Sequence, residues 1–149
     1  MNEARRNALK MIAALAAAGW PPESAWAQEW NKAAFDMKSV ADAFRALGAG
    51  TPAASDAIVI KAPDIAENGA VVPVAVESKL AGTESIALLI EKNQTPLAAS
   101  FGIPAGTEAA VSTRVKMGQS SDVYALVKAE GKYFVAKKEI KITLGGCGG

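Results

Sequence analysis

Two hydrophobic periods divide this chain. Between residues 30 and 47, Phe35, Ser39, Val40, Ala43, Phe44 and Leu47 recur every three or four positions. That spacing predicts a helix with one buried stripe. Gly48 is a stop just past its end, and Gly50-Thr51-Pro52 opens a linker. Beyond it the period falls to two, and segments 57–62, 71–79, 84–92, 97–103, 108–117, 122–129 and 132–138 predict strands. Ile86, Leu88 and Ile90 share one face of the third, and Val111, Thr113, Val115 and Met117 one face of the fifth. Asn68-Gly69 marks a turn by residues that tolerate positive φ, and Glu130-Gly131 marks the turn of a hairpin. Pro73 cannot donate to a ladder, so an edge or a bulge is expected there. The last strand carries Ile140, Ile142 and Leu144 on one face, with Glu139, Lys141 and Thr143 on the other. About seven short strands with turns roughly every 8–12 residues predict a mainly β, immunoglobulin-like sandwich behind an N-terminal helix. The likeness is architectural: the disulfide and core tryptophan of antibody domains are missing.

The front of the chain reads as an export signal over residues 1–27. Arg5, Arg6 and Lys10 form its basic part, and the alanine-dominated run from Met11 to Gly19 follows. That run is about nine residues long, against roughly 20 for a membrane span. Ala25-Trp26-Ala27 has the small-x-small pattern of a cleavage site, so the mature chain is expected to begin at Gln28. The Arg5-Arg6 pair resembles a twin-arginine signal, with Leu9 and Lys10 in place but Ala4 and Ala8 where Ser and Phe are usual. The expected organisation is thus a signal at 1–27, a helix within 28–50, a sandwich over 51–144 and a tail at 145–149.

Charge and composition remove whole classes of function. The full chain has net charge +1. Cleavage takes Arg5, Arg6 and Lys10 with Glu3 and Glu23, three positive charges against two negative, and leaves zero. A neutral domain has no electrostatic footprint for nucleic acid and no basic block for a membrane surface. There is no histidine and one cysteine. That excludes a His/Cys metal site and any Ser-His-Asp or Cys-His catalytic arrangement within the chain. No metal, cofactor or catalytic residue is expected.

The one cysteine, Cys147, has glycine pairs on either side: Gly145, Gly146, Gly148 and Gly149. Glycine has no side chain to pack and loses the most freedom on ordering, so 145–149 is expected to be a flexible arm carrying an accessible thiol. A single cysteine in an exported protein is free, modified or paired with another molecule.

The tail Gly145-Gly146-Cys147-Gly148-Gly149, after Ile140-Lys141-Ile142-Thr143, resembles that of the SoxY family of the bacterial thiosulfate-oxidation (Sox) system. The segment from Ala66 to Val74, Glu91 to Leu97 and Ser112 to Met117 resemble the same family. The resemblance implies a periplasmic carrier that holds sulfur intermediates on Cys147 and acts as a scaffold for enzymes. It implies a heterodimer with a smaller β-sandwich subunit, SoxZ. It further implies a haem-containing enzyme that conjugates thiosulfate, a manganese-dependent hydrolase that releases sulfate, and a molybdenum- and haem-containing sulfur dehydrogenase.

Other readings of the residues stay open. Cys147 is then an incidental or disulfide-tethering thiol on an exported β-sandwich binding module. Gly148-Gly149 also formally satisfies the ending of carriers that use a terminal thiocarboxylate. Asp56, Asp64 and Glu67 are an acidic set whose ordinary reading is solvated turns. Arg114 and Lys116 have a sulfate- or partner-binding reading beside the plainer one of strand-face solubility.

Overall fold

The computed structural model describes residues 31–143. The expected signal at 1–27, with Arg5, Arg6, Ala25, Ala27 and Gln28, lies outside the described residues, as do Trp30, Leu144 and the glycine–cysteine tail.

The helical segment is broken where one continuous helix is predicted. Asn31 caps α1 (Lys32–Asp36), its side-chain oxygen accepting the Ala34 N–H at 3.1 Å. Met37 then turns extended, and Ser39 starts α2 (Val40–Ala46) afresh. The Ser39 Oγ accepts the Asp42 N–H at 3.1 Å and donates to the Asp42 carboxylate at 2.7 Å. A serine with an acid three residues on satisfies orphan N–H groups better as a cap than inside a helix, which is the physical reason for the break. The Asn31 side-chain amide closes the pair by donating to Ala46 O at 2.8 Å. Both helices are too short to hold alone and depend on what they pack against.

Nine strands follow among the described residues: β1 (Ala53–Ala54), β2 (Ile58–Lys61), β3 (Ile65–Ala66), β4 (Val72–Ser78), β5 (Thr83–Ile90), β6 (Leu97–Gly102), β7 (Ala110–Val115), β8 (Ser121–Ala129) and β9 (Lys132–Ile142). One sheet runs β1-β9-β8-β5-β6, with β3 also on β9, and the other runs β2-β4-β7. The chain leaves the first sheet after β1, contributes β2 to the second, and returns as β3. Lys138 Nζ holds that return segment, donating to Ala62 O at 2.6 Å and pairing with Asp64 Oδ1 at 3.0 Å. Glu130 and Gly131 both have positive φ, +48° and +73°, the conformation of a tight two-residue hairpin between β8 and β9.

Between the sheets, Val72, Val74 and Val76 of β4 meet Ile86, Leu88, Ile90, Val123, Ala125, Val127 and Ile140. Burying each large side chain here is worth about 1.5–3 kcal/mol. The opposite face of the larger sheet is also covered. Ala87, Leu89, Leu97 and Leu126 pack under Ala34, Ala43 and Phe44 of the helices. That second layer explains why β5 loses its alternation and reads Leu88-Leu89-Ile90, buried on both faces. Tyr133 ties the layers together by donating to Leu47 O at 2.7 Å.

Two local expectations meet the structure differently. Pro73 sits in β4, the central strand of its sheet, opposite Arg114 of β7, but at a local edge of that strand. It is tolerated because β2 stops at Lys61 opposite Ala75, leaving Pro73 a neighbour on one side only. Gly69 does not use positive φ. A Cβ there would lie 2.4 Å from Met117 O, so close backbone approach, not turn conformation, requires glycine.

Candidate functional site

The chemistry predicted from sequence hangs on Cys147, so the site that the described residues define is the anchor of the segment that bears it. Thr143 is the last described residue and Cys147 stands four residues on. Four residues span at most about 14 Å.

The end of β9 is held on both edges. On one, β3 runs parallel to it, pairing Ile65 with Lys141 and Ala66 with Ile142. Lys141 N–H donates to Asp64 O at 2.9 Å and Thr143 N–H to Ala66 O at 3.1 Å. On the other, β8 pairs with β9 only as far as Ser121 opposite Ile140. Side chains continue the work. Ser120 Oγ accepts the Ile142 N–H at 2.9 Å. Ser121, buried, accepts the Lys92 N–H at 3.0 Å and donates to Asp122 O at 3.1 Å.

A second ring of turns braces these contacts. Asn68 accepts the Ala70 N–H on its side chain, which shapes the turn before β4. Gly69 O accepts the Met117 N–H at 2.7 Å. Asn93 bridges to the same region, donating to Lys116 O at 2.8 Å and accepting the Gly118 N–H at 3.2 Å. Ile140 is fully buried below. Residues 140–143 are therefore a fixed mount. Sequence reasoning placed the strand and its face but missed Ser120, Ser121 and Asn93. Their signal is faint: polar turn residues look alike whether they face solvent or cap a strand.

The other residues singled out from sequence are not gathered into a site. Asp64 pairs with Lys138. Asp56 and Glu67 are exposed, and no cluster of three metal-ligating side chains occurs among the described residues. Arg114 and Lys116 are exposed. A groove of about 520 Å³ is lined by the chain crossing from β1 to β2 and by Tyr124, Val135, Ala136 and Lys137. Its nearest β9 residue, Lys137, is six residues from Thr143, about 20 Å of strand. No helix among the described residues is long and apolar enough to cross a membrane.

The fold and its mount define a class: a two-sheet, immunoglobulin-like sandwich, backed by helices, whose final strand is fixed just ahead of a glycine-flanked cysteine. The profile of the family described as "Sulfur oxidation protein SoxY" matches residues 44–147. The chain belongs to the SoxY family. Among solved structures it is similar to the sulfur carrier protein SoxY from Chlorobium limicola f thiosulfatophilum. That likeness has 37% identity and a TM-score of 0.61, covering 69% of this chain and 96% of that one. A superoxide reductase (neelaredoxin) from Ignicoccus hospitalis is similar at 20% identity and a TM-score of 0.51, over 58% of this chain and 79% of that one. This second likeness shows a shared fold alone. No curated protein matches.

Proposed function

We propose that this chain is a covalent carrier in sulfur oxidation, with intermediates attached to the sulfur of Cys147. The observation that carries the reading is the family match, which runs through to Cys147. The similarity to a solved sulfur carrier, at 37% identity, supports it.

The proposed chemistry starts from an ordinary thiol. A free cysteine has a pKa of about 8.5, and no basic residue flanks Cys147 in sequence. Activation then belongs to the pockets of the enzymes that receive it, and the chain is carrier rather than catalyst. In the first step the thiol sulfur and the outer sulfur of thiosulfate form an S–S bond, releasing two electrons to a haem-containing enzyme and the thiol proton within that enzyme's pocket. Water then cleaves the bond to the sulfonate group in a manganese-dependent hydrolase, releasing sulfate and leaving a persulfide. A molybdenum- and haem-containing dehydrogenase oxidises the outer sulfur where it is present. The carrier's own contribution is proximity: one docked domain offers the same sulfur to each enzyme at high effective concentration.

The working unit in this reading is a heterodimer with a SoxZ-like sandwich subunit, in the periplasm. The Arg5-Arg6 signal would be removed after Ala27, leaving Gln28 first; N-terminal sequencing of the protein from cells checks that cleavage.

Intact mass spectrometry of the protein from thiosulfate-grown cells tests the carrier role. Adducts of whole sulfur atoms or a thiosulfate-derived group are expected, removed by a thiol reductant and absent from Cys147→Ser. A bare thiol or only a disulfide dimer during active turnover would overturn the reading.

A further inference from the structure

We propose that the turn at residues 68–71 is a self-modification site, at which Asn68 loses ammonia to attack by the Gly69 nitrogen and becomes an aspartyl or isoaspartyl residue. Three asparagines lie among the described residues: Asn31, Asn68 and Asn93. Two have their side-chain amides held at both ends. Asn31 accepts the Ala34 N–H and donates to Ala46 O. Asn93 donates to Lys116 O and accepts the Gly118 N–H. Asn68 is held at its oxygen alone. Its Oδ1 accepts the Ala70 N–H at 2.9 Å, and its amide nitrogen donates to no group among the described residues.

The turn supplies each part of the reaction. The nucleophile is the Gly69 backbone nitrogen, whose N–H has no acceptor among the described residues. Glycine has no Cβ to crowd a closing ring, whereas Lys32 and Gln94 follow the other two asparagines. Negative charge develops on Oδ1 as the nitrogen adds, and the Ala70 N–H is already aimed at that oxygen, at the distance of an oxyanion donor. The leaving group is the unbonded amide nitrogen. Asn68 is exposed, so water reaches the site.

The steps need water alone and do not depend on the carrier reading. Gly69 N bonds to Asn68 Cγ while the Cγ–Nδ2 bond breaks, and the Gly69 proton leaves with Nδ2 as ammonia. Water then opens the cyclic imide. Opening between Cγ and Gly69 N gives aspartate. Opening at the Asn68 backbone carbonyl gives isoaspartate, with the chain now running through Cβ and Cγ.

The fold itself imposes the permissive neighbour, since a Cβ at Gly69 would collide with Met117 O. The product undoes that same packing. Gly69 O holds the Met117 N–H at 2.7 Å, and Asn68 O accepts the Val71 N–H at 3.4 Å. An isoaspartyl linkage lengthens the backbone between these two carbonyls, which displaces Gly69 from Met117 and breaks the turn. Either product adds a carboxylate beside Glu67.

The test incubates the mature full chain, native and unfolded in urea, and follows the three asparagines by peptide mapping with mass spectrometry. Native Asn68 is expected to convert about fivefold faster than unfolded Asn68, the worth of one hydrogen bond to the developing oxyanion. Native Asn31 and Asn93 are expected to convert at least about tenfold slower than native Asn68. A native Asn68 rate at or below the unfolded one overturns the proposal, as does an Asn93 rate equal to it. The Met117 amide, read by NMR in the aged native protein, is expected to exchange about fivefold faster than in the fresh one. In equally aged Asn68→Ser, whose hydroxyl takes the Ala70 N–H without this chemistry, it is expected not to change. A Met117 rate that does not separate the two aged proteins overturns the loosening of the turn.

Discussion

The hydroxyl of Ser120 accepts the backbone N–H of Ile142 at 2.9 Å, beyond the point where β8 stops pairing with β9. A side chain stands in for a missing rung at the strand end that leads to Cys147. Ser120→Ala removes one such bond, a loss of about 1 kcal/mol. The Ile142 amide is expected to exchange its hydrogen about fivefold faster, with the β8–β9 hairpin amides unchanged. Amide exchange by NMR checks this, and an unaltered Ile142 rate would refute the role given to Ser120.

Gly69 and Gly118 form a natural contrast. A Cβ at Gly69 meets Met117 O at 2.4 Å, whereas one at Gly118 meets nothing within 4 Å. Gly69→Ala is expected to destabilise by about 1–3 kcal/mol, and Gly118→Ala to stay within about 0.5 kcal/mol. Urea unfolding of the two variants side by side decides it.

Phe44 packs edge-on against Tyr124, with ring centroids 6.2 Å apart and planes at 82°. It joins the helices to the outer face of the larger sheet. Phe44→Ala is expected to cost about 3 kcal/mol or more, measured by chemical unfolding. A loss confined to helical signal, with the sandwich melting as before, would mean that the helices are an independent layer.

Acid sensitivity should arise partly at Glu84. Its carboxylate bonds to Lys128 at 2.8 Å and accepts the Gly131 N–H at 2.8 Å. The Lys128 hydrogen bond first, then the Gly131 N–H, hold its pKa below the ordinary 4.5. A group depressed on folding contributes stability that is complete above its unfolded pKa and is lost as pH falls through the folded one. The urea midpoint is therefore expected to fall on acidification below pH 4.5, and to fall less in Glu84→Gln. An equal fall in both proteins would exclude this contribution. Glu77 is depressed in the same direction by Lys61, so Glu84→Gln flattens the profile without abolishing it.

Much of the architecture is legible because packing imposes period. Val111, Thr113 and Val115 alternate with exposed Ser112 and Arg114 since β7 has one face in the core. Ile86, Leu88 and Ile90 likewise mark the inner face of β5. The failures have equally local causes. β1 and β3 are two residues each and have no period to detect; they exist because the long β9 offers an edge to pair with. Ser39 sits on the helical stripe at the right spacing, and only its hydrogen bonds to Asp42 reveal a cap instead of an interior position. The reason for glycine at 69 is a carbonyl 48 residues away, which no local pattern carries. At the site, the cysteine and its glycines stand out by composition, whereas the mount depends on tertiary contacts of Ser120, Ser121 and Asn93.

The pairing of β9 also sets how the domain bears force. Nine residue pairs join it to β8 in antiparallel register, and β3 flanks its last two residues in parallel. Tension applied to the chain beyond Thr143 along the strand axis loads the hydrogen bonds of both ladders together, in shear, instead of opening them one after another. A pull on the chain beyond Thr143 therefore meets a stiff handle and does not peel the strand away rung by rung.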